Sequence, residues 1–249
     1  IGIFAELDYL INDKTKITLG ARWTEETKDV TFNAIGSCEK DFSSCSGPSS
    51  GLMRSGTYDD TTPKIAVTHS LNEDVNIYAS YTQGFRSGSF DARARTIDSF
   101  LNSQPGPEEV TSIELGLKST FNDGKVLLNI ALFQADYDDI QKLALEECDV
   151  NIDTCPSGRI QRLINAAKAT IEGIEIETKL SVTDQLSIEG SLGYTDAGFD
   201  EFLGFDADGV RGYDPITDPV AAAALKFERV PELTYNIMAN YFQPLANGA

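Results

Sequence analysis

The residues best equipped for chemistry are four cysteines in two matched pairs, "CEKDFSSC" from Cys38 to Cys45 and "CDVNIDTC" from Cys148 to Cys155. Such a set could form two halves of a metal site, a redox device, or two staples on loops outside a cell. The spacing is not the C-x2-C of structural zinc, and no histidine lies near either pair. Within the second pair, "DVNID" (Asp149 to Asp153) begins like a calcium loop. Thr154 stands where such a loop needs glycine, however, and Ile160 where it needs a bidentate glutamate. It reads as a solvated acidic loop, as do Asp206, Asp208, Asp214 and Asp218 further on. The single histidine, His69, shares an apolar parity with Ile65 and Val67, which argues against a Ser-His-Asp triad. Among 39 Asp and Glu residues nothing singles out a glycosidase-like pair. The sequence thus predicts no catalytic, cofactor-binding or metal-ligating residue and no enzyme. One basic cluster remains: Arg86, Arg93 and Arg95 in "GFRSGSFDARAR" could greet an anionic ligand, or pair with Asp91 and other loop carboxylates.

The elements that position these residues follow from pattern. A chain of 249 residues, 24% charged and 41% hydrophobic, suffices for one large domain and is not disordered in composition. A net charge of -19 argues against a nucleic-acid surface. No apolar run approaches the ~18 residues of a membrane-spanning helix. The start, "IGIFAELDYL", has no initiator Met or signal peptide and reads as mid-strand, so the chain is expected to be a fragment.

Nearly every ordered-looking stretch alternates with the strand period of two. In "TKITLGARWT", Ile17, Leu19, Ala21 and Trp23 share one face, opposite Thr18, Gly20 and Arg22. "TSIELGLKSTF" sets Ile113, Leu115, Leu117 and Phe121 against Glu114, Gly116 and Lys118. The pattern predicts nine strands, at 1–11, 15–32, 58–70, 75–86, 109–121, 125–142, 159–182, 186–198 and 231–245. "VLLNIALFQADY" leaves open whether Leu128, Ile130 and Leu132 or Phe133, Ala135 and Tyr137 face outward, and a short helix is possible at 220–227. The connections alternate strictly. Turn-rich short ones lie at 12–14, 71–74, 122–125 and 183–185, and long ones at 33–57, 87–108, 143–158 and 199–230. An antiparallel meander then gathers the tight turns at one end and the long loops at the other, the habit of an outer-membrane β-barrel.

A β-sandwich would show no such order and shorter strands, and a propeller would show a sequence repeat that is absent. Trp23, Phe85, Tyr137 and Tyr194 fall near the long-loop end, with Tyr9, Phe121 and Tyr241 near the other, as two interfacial girdles would. The second face carries Glu6, Asp8, Arg22, Lys64, Glu114, Lys118, Glu175, Glu177, Lys179 and Glu189. A soluble barrel could not bury so many charges unpaired, but a wet or plugged lumen could hold them.

The segments "LGARWTEETKDV", "NIYASYTQGFRSGSF", "PEEVTSIELGLKSTFNDGKVLLNIALFQADYDDIQ", "INAAKATIEGIEIETKLSVTDQLSIEGSLGYTDAGF" and "VPELTYNIMANYFQPL" resemble, in this order, the barrel of TonB-dependent outer-membrane receptors. The resemblance covers almost the whole chain. It implies an all-β, antiparallel up-and-down transmembrane β-barrel segment of about nine strands, part of a 22-stranded barrel. Residues 1–249 would then be a partial barrel domain, in the bacterial outer membrane, lacking the plug domain, the TonB-contact segment and the barrel ends. The implied function is TonB-dependent uptake of a scarce nutrient, a ferric siderophore or similar metal chelate, with no cofactor. The implied partners are the TonB complex via the absent plug region, the ligand, and outer-membrane lipid and lipopolysaccharide, but no nucleic acid. A passive porin, with a loop folded into the lumen, and a surface-interaction barrel are the alternatives. With both cysteine pairs on long loops reached through an oxidising periplasm, the expectation becomes intraloop disulfides Cys38–Cys45 and Cys148–Cys155. Arg86, Arg93 and Arg95 become candidates for contact with an anionic ferric chelate.

Overall fold

A computed structural model of the chain describes residues 1–32, 51–92, 94, 97–147, 159–202, 227 and 229–243. The described strands are β1 (Gly2–Asn12), β2 (Thr15–Phe32), β3 (Leu52–Ser70), β4 (Val75–Arg86), β5 (Glu108–Phe121), β6 (Val126–Glu147), β7 (Arg159–Ser181), β8 (Leu186–Phe202) and β9 (Leu233–Tyr241), with one short helix, α1 (Ile97–Asn102), between β4 and β5. They form one nine-stranded sheet in sequence order, every neighbouring pair antiparallel.

Local chemistry closes each short turn. Asn12 Oδ1 accepts from Lys14 N (2.9 Å), Asn72 Oδ1 from Asp74 N (2.9 Å), and Thr183 Oγ1 from Gln185 N and Leu186 N (3.2 and 3.0 Å). At the third short turn, Asn122, Asp123 and Gly124 all take positive φ (55°, 55° and 85°), the left-handed region that Asn, Asp and Gly tolerate best.

The register aligns like residues in rows across the sheet. One row joins Ile77, Leu117, Ile130, Ile176, Leu192 and Tyr235; the next joins Ala79, Leu115, Leu132, Ile174, Tyr194 and Leu233. Among the described residues no second layer of protein covers this face: Leu115 is 52% exposed, Leu132 50% and Ile113 50%. A contiguous apolar surface of this extent would carry a large hydrophobic cost in water, and hydrocarbon removes that cost. The belt has an upper edge in register, where the row Ile113, Gln134, Glu172 and Asp196 turns polar.

Register also decides the ambiguous strand. Ile130 and Leu132 pair into the apolar rows and Leu128 shares their face between Ser119 and Thr178, while Phe133 lies opposite Glu114 on the polar face. Tyr137 follows that second parity, so it leaves the outer girdle; it packs on a small cluster of Ile140, Ala167, Ala169 and Phe202. Strands β3, β6 and β8 run longer than the pattern indicates, beginning at Leu52 and ending at Glu147 and Phe202. The helix-prone stretch 220–226 lies outside the described residues.

Candidate functional site

The polar face carries its charges in cross-strand groups. Lys64 Nζ meets Glu6 Oε2 at 2.8 Å across an intervening strand, because Gly20 sits between them and leaves the space open. Lys16 pairs with Asp8 (3.1 Å) and Lys179 with Glu189 (2.7 Å). Tyr78 lays its ring directly on Gly116, where a Cβ would collide with it. Its hydroxyl donates to Glu114 Oε1 (2.5 Å), and Lys118 Nζ lies 5.4 Å from the ring centroid. Phe133 covers Gly173 in the same manner. A hollow of about 370 Å³ near the short-turn end of this face is lined by Asn129, Glu177, Lys179, Glu189 and Asn236 among others.

Toward the long-loop end the sheet splits. β2 and β3 stay paired from Thr15–His69 up to Phe32–Leu52, but β3 and β4 pair only from Ser70–Asn76 to Lys64–Thr82. Next in line is Pro63, which has no amide hydrogen to continue a ladder. The β2–β3 ribbon therefore stands free of β4 beyond that point. The segment between β4 and β5, residues 87–92 and 97–107 with α1, folds back over the polar face and fills the cleft.

Its grips come from both sides. On the β2–β3 side, Lys28 Nζ donates to Ser87 Oγ (2.6 Å) and Gly88 O (2.9 Å), and Ser87 Oγ donates in turn to Glu26. That hydrogen bond, with Lys28 nearby, holds the Glu26 carboxyl below the usual glutamate range. Arg54 Nη1 donates to Phe100 O (3.0 Å) and Leu101 O (2.7 Å) at the C-terminal end of α1, and Arg54 also bonds Gln104. Phe100, 1% exposed, stacks on Phe32 with ring centroids 4.9 Å apart. On the β6–β7 side, the Gln141 side chain donates to Ser87 O (2.9 Å) and Gly106 O (3.1 Å) and accepts from Ser89 Oγ (2.9 Å). Asn165 Oδ1 accepts from Gly106 N (2.7 Å), and its Nδ2 donates to Asp139 O (2.6 Å). A bulge between Tyr137 and Gln141, with Asp139 at φ 56°, resets the strand there.

Of the sequence-predicted site residues, Arg86 ends β4 at the mouth of this segment, opposite Glu108 in register and 3.8 Å from its carboxylate. Arg93, Arg95 and the four cysteines lie outside the described residues. His69 sits on the apolar face, its Nδ1 2.8 Å from Thr15 Oγ1. No group of three or more metal-ligating side chains occurs among the described residues. Lys28, Arg54, Gln141 and Asn165 are not singled out by the sequence; Gly88, where a Cβ would collide with the Tyr58 ring and Pro105 O, is the signal of a close approach there.

Three solved structures show the same fold. The siderophore receptor PiuA from Acinetobacter baumannii matches with a TM-score of 0.65 at 18% identity, over 96% of this chain and 30% of that one. The ferric-catecholate import receptor Fiu from E. coli K12, closed form, matches at 0.59 and 20%, over 96% and 31%. The copper transporter OprC matches at 0.58 and 16%, over 80% and 29%. The chain thus spans about a third of the length of the structures it matches. The family model described as "TonB dependent receptor-like, beta-barrel" matches residues 1–249. With a lipid-facing belt, a charged inner face and a family match along its whole length, the chain belongs to the TonB-dependent receptor β-barrel family of the outer membrane.

Proposed function

We propose that this chain is a wall sector of a TonB-dependent receptor that imports a scarce nutrient, a ferric siderophore or similar metal chelate, by energised rearrangement without covalent chemistry. The observation that supports it is the two-faced sheet. Lipid-facing rows back onto a charged wall, and β1 and β9 are exposed along their whole length, so both edges call for further strands of a wider barrel. The remaining strands and a lumen-filling plug that contacts the TonB complex would come from the rest of the receptor. The carboxylates Glu114, Glu175 and Glu177 on the polar face suit basic groups of such a plug. At the loop mouth, Arg86 with Arg93 and Arg95 would meet the anionic chelate, and disulfides Cys38–Cys45 and Cys148–Cys155 would restrain two loops. The similar structures are a siderophore receptor, a ferric-catecholate import receptor and a copper transporter, which favours a metal-bearing ligand.

The deciding experiment deletes the gene and measures growth and 55Fe uptake on defined ferric chelates. Loss on at least one chelate, restored by the gene, is the expected outcome; unchanged uptake on all of them overturns the iron reading. A passive porin is the second reading, because residues 87–92 and 97–107 lie against the inner face where a constriction loop would lie. Steady conductance of the purified full-length protein in a planar bilayer, with no energy source, would support it.

A further inference from the structure

The segment formed by residues 87–92 and 97–107 occupies the position of a gate, over the inner face at the extracellular mouth, yet it is built unlike one. Elements that open in function have few buried contacts and exposed hydrogen bonds. Here the reverse holds. Ser87, Asp91, Phe100 and Ser103 are buried, Ser103 completely, and Gln141 beneath them is 7% exposed with its amide fully bonded to the segment. The two legs are tied to each other by Ser89 N to Pro105 O (3.2 Å) and Asp91 N to Ser103 O (3.3 Å). Gly88 lies under the Tyr58 ring and against Pro105 O so closely that a Cβ has no room. Arg54 closes the end of α1 and also stands 5.4 Å from the centroid of Phe90.

The reason for this density is the split in the wall. From Pro63 outward, β3 has no β4 partner, so without the segment a lateral opening would separate the β2–β3 ribbon from β4 just above the apolar belt. One set of grips is on the ribbon (Lys28, Arg54, Phe32) and the other on β6–β7 (Gln141, Asn165), which is the arrangement of a brace between two uprights. We propose that this segment is a permanent seal over the β3–β4 split, docked throughout capture and passage of cargo, so that whatever moves during uptake lies elsewhere. The inference goes beyond the transport assignment and does not depend on the identity of the cargo.

Single cysteines at a buried and an exposed position of the same segment test it. Ser103→Cys and Ala92→Cys are placed separately in the full-length receptor in cells, the unsubstituted receptor giving the background from native cysteines. Labelling by an impermeant maleimide is timed with and without a protonophore. Modification at position 103 is expected to be about 100-fold or more slower than at 92 in both conditions, as sub-global opening requires. A smaller ratio in energised cells overturns the seal in favour of a gate, and a smaller ratio in both conditions shows that the segment is not docked at all. Should Ser103→Cys fail to fold, hydrogen exchange on the unsubstituted receptor decides. The amides of Ser89 and Asp91 must then exchange as slowly as those of β5, and exchange as fast as the 12–14 turn overturns the proposal.

Discussion

Replacing Leu117 with lysine probes the partition between lipid and lumen directly. Leu117 lies on β5 between Ile77 and Ile130, four residues from Phe121 at the short-turn interface. Four residues at ~3.4 Å each, on a strand tilted ~40°, place it about 10 Å deep, close to the middle of an apolar band ~25 Å tall. A lysine on the lipid face at that depth costs roughly 2–4 kcal/mol. The matched control is Ser112→Lys on the same strand, which faces Thr82 and Ala135 on the polar side and reaches the lumen, at about zero cost. At ~1.4 kcal/mol per tenfold, the two variants of the full-length receptor, refolded in phospholipid vesicles, should differ by about 30- to 1,000-fold in the unfolding constant extrapolated from urea. Native Lys118, one residue away, shows how sharp the boundary is: a single step along the strand exchanges hydrocarbon for lumen. If Leu117→Lys unfolds with the same midpoint and slope as Ser112→Lys, the apolar rows do not face lipid and the membrane assignment falls.

Further outcomes follow from the ring joints and the brace. Gly116→Ala drives a methyl into the Tyr78 ring and should cost about 1–3 kcal/mol by overpacking, whereas in a Tyr78→Ala background it should be neutral; equal costs in both backgrounds, measured by the same urea titration, would refute the joint. Gln141→Ala strips Ser87 O and Gly106 O of a buried donor, and a loss of about 1–3 kcal/mol should appear as faster hydrogen exchange confined to the segment over the split. Glu26 has a folded pKa below the ordinary 4.5, so its contribution to docking is complete above that value and is lost as pH falls through the lower folded value. Exchange at residues 87–89 should therefore quicken on acidification in the native receptor and lose that pH dependence in Glu26→Gln. Lys168 has the opposite sign: its hydrogen bond to Asp138 raises its pKa, and the contribution, full below 10.5, disappears as pH rises through the raised value, which Lys168→Met should abolish in alkaline unfolding curves.

The parts legible in the sequence are those that obey a period. Alternation in "TSIELGLKSTF" fixed both faces of β5, and Asn-Asp-Gly at 122–124 marked its turn through residues that accept positive φ. In β6 both parities are apolar, so no pattern within the strand could choose between them. Only the partner could, since pairing Leu132 with Leu115 commits Phe133 and Tyr137 to the inside. The strand extensions escape for a related reason: above the belt, residues such as Arg54 and Tyr58 face a docked segment, and the apolar contrast that reveals a strand is gone.

The brace was illegible because none of its contacts is local. Lys28 reaches a serine 59 residues away, and Gln141 reaches back 54 to Ser87. Polar side chains that bond a foreign backbone leave no periodic trace, because Lys, Arg, Gln and Asn are equally at home in water. What the sequence does carry is the complement of those contacts: Gly88 of the docked segment sits under Tyr58 and Gly116 of β5 under Tyr78, so that bulky rings meet missing side chains. Glycines on the polar parity of long strands are costly to strand formation unless such an occupant covers them. At Gly116 and Gly173 that occupant is an aromatic ring, Tyr78 and Phe133, and at Gly20 it is the Lys64–Glu6 ion pair, so an inward glycine here marks a neighbouring side chain that crosses its position.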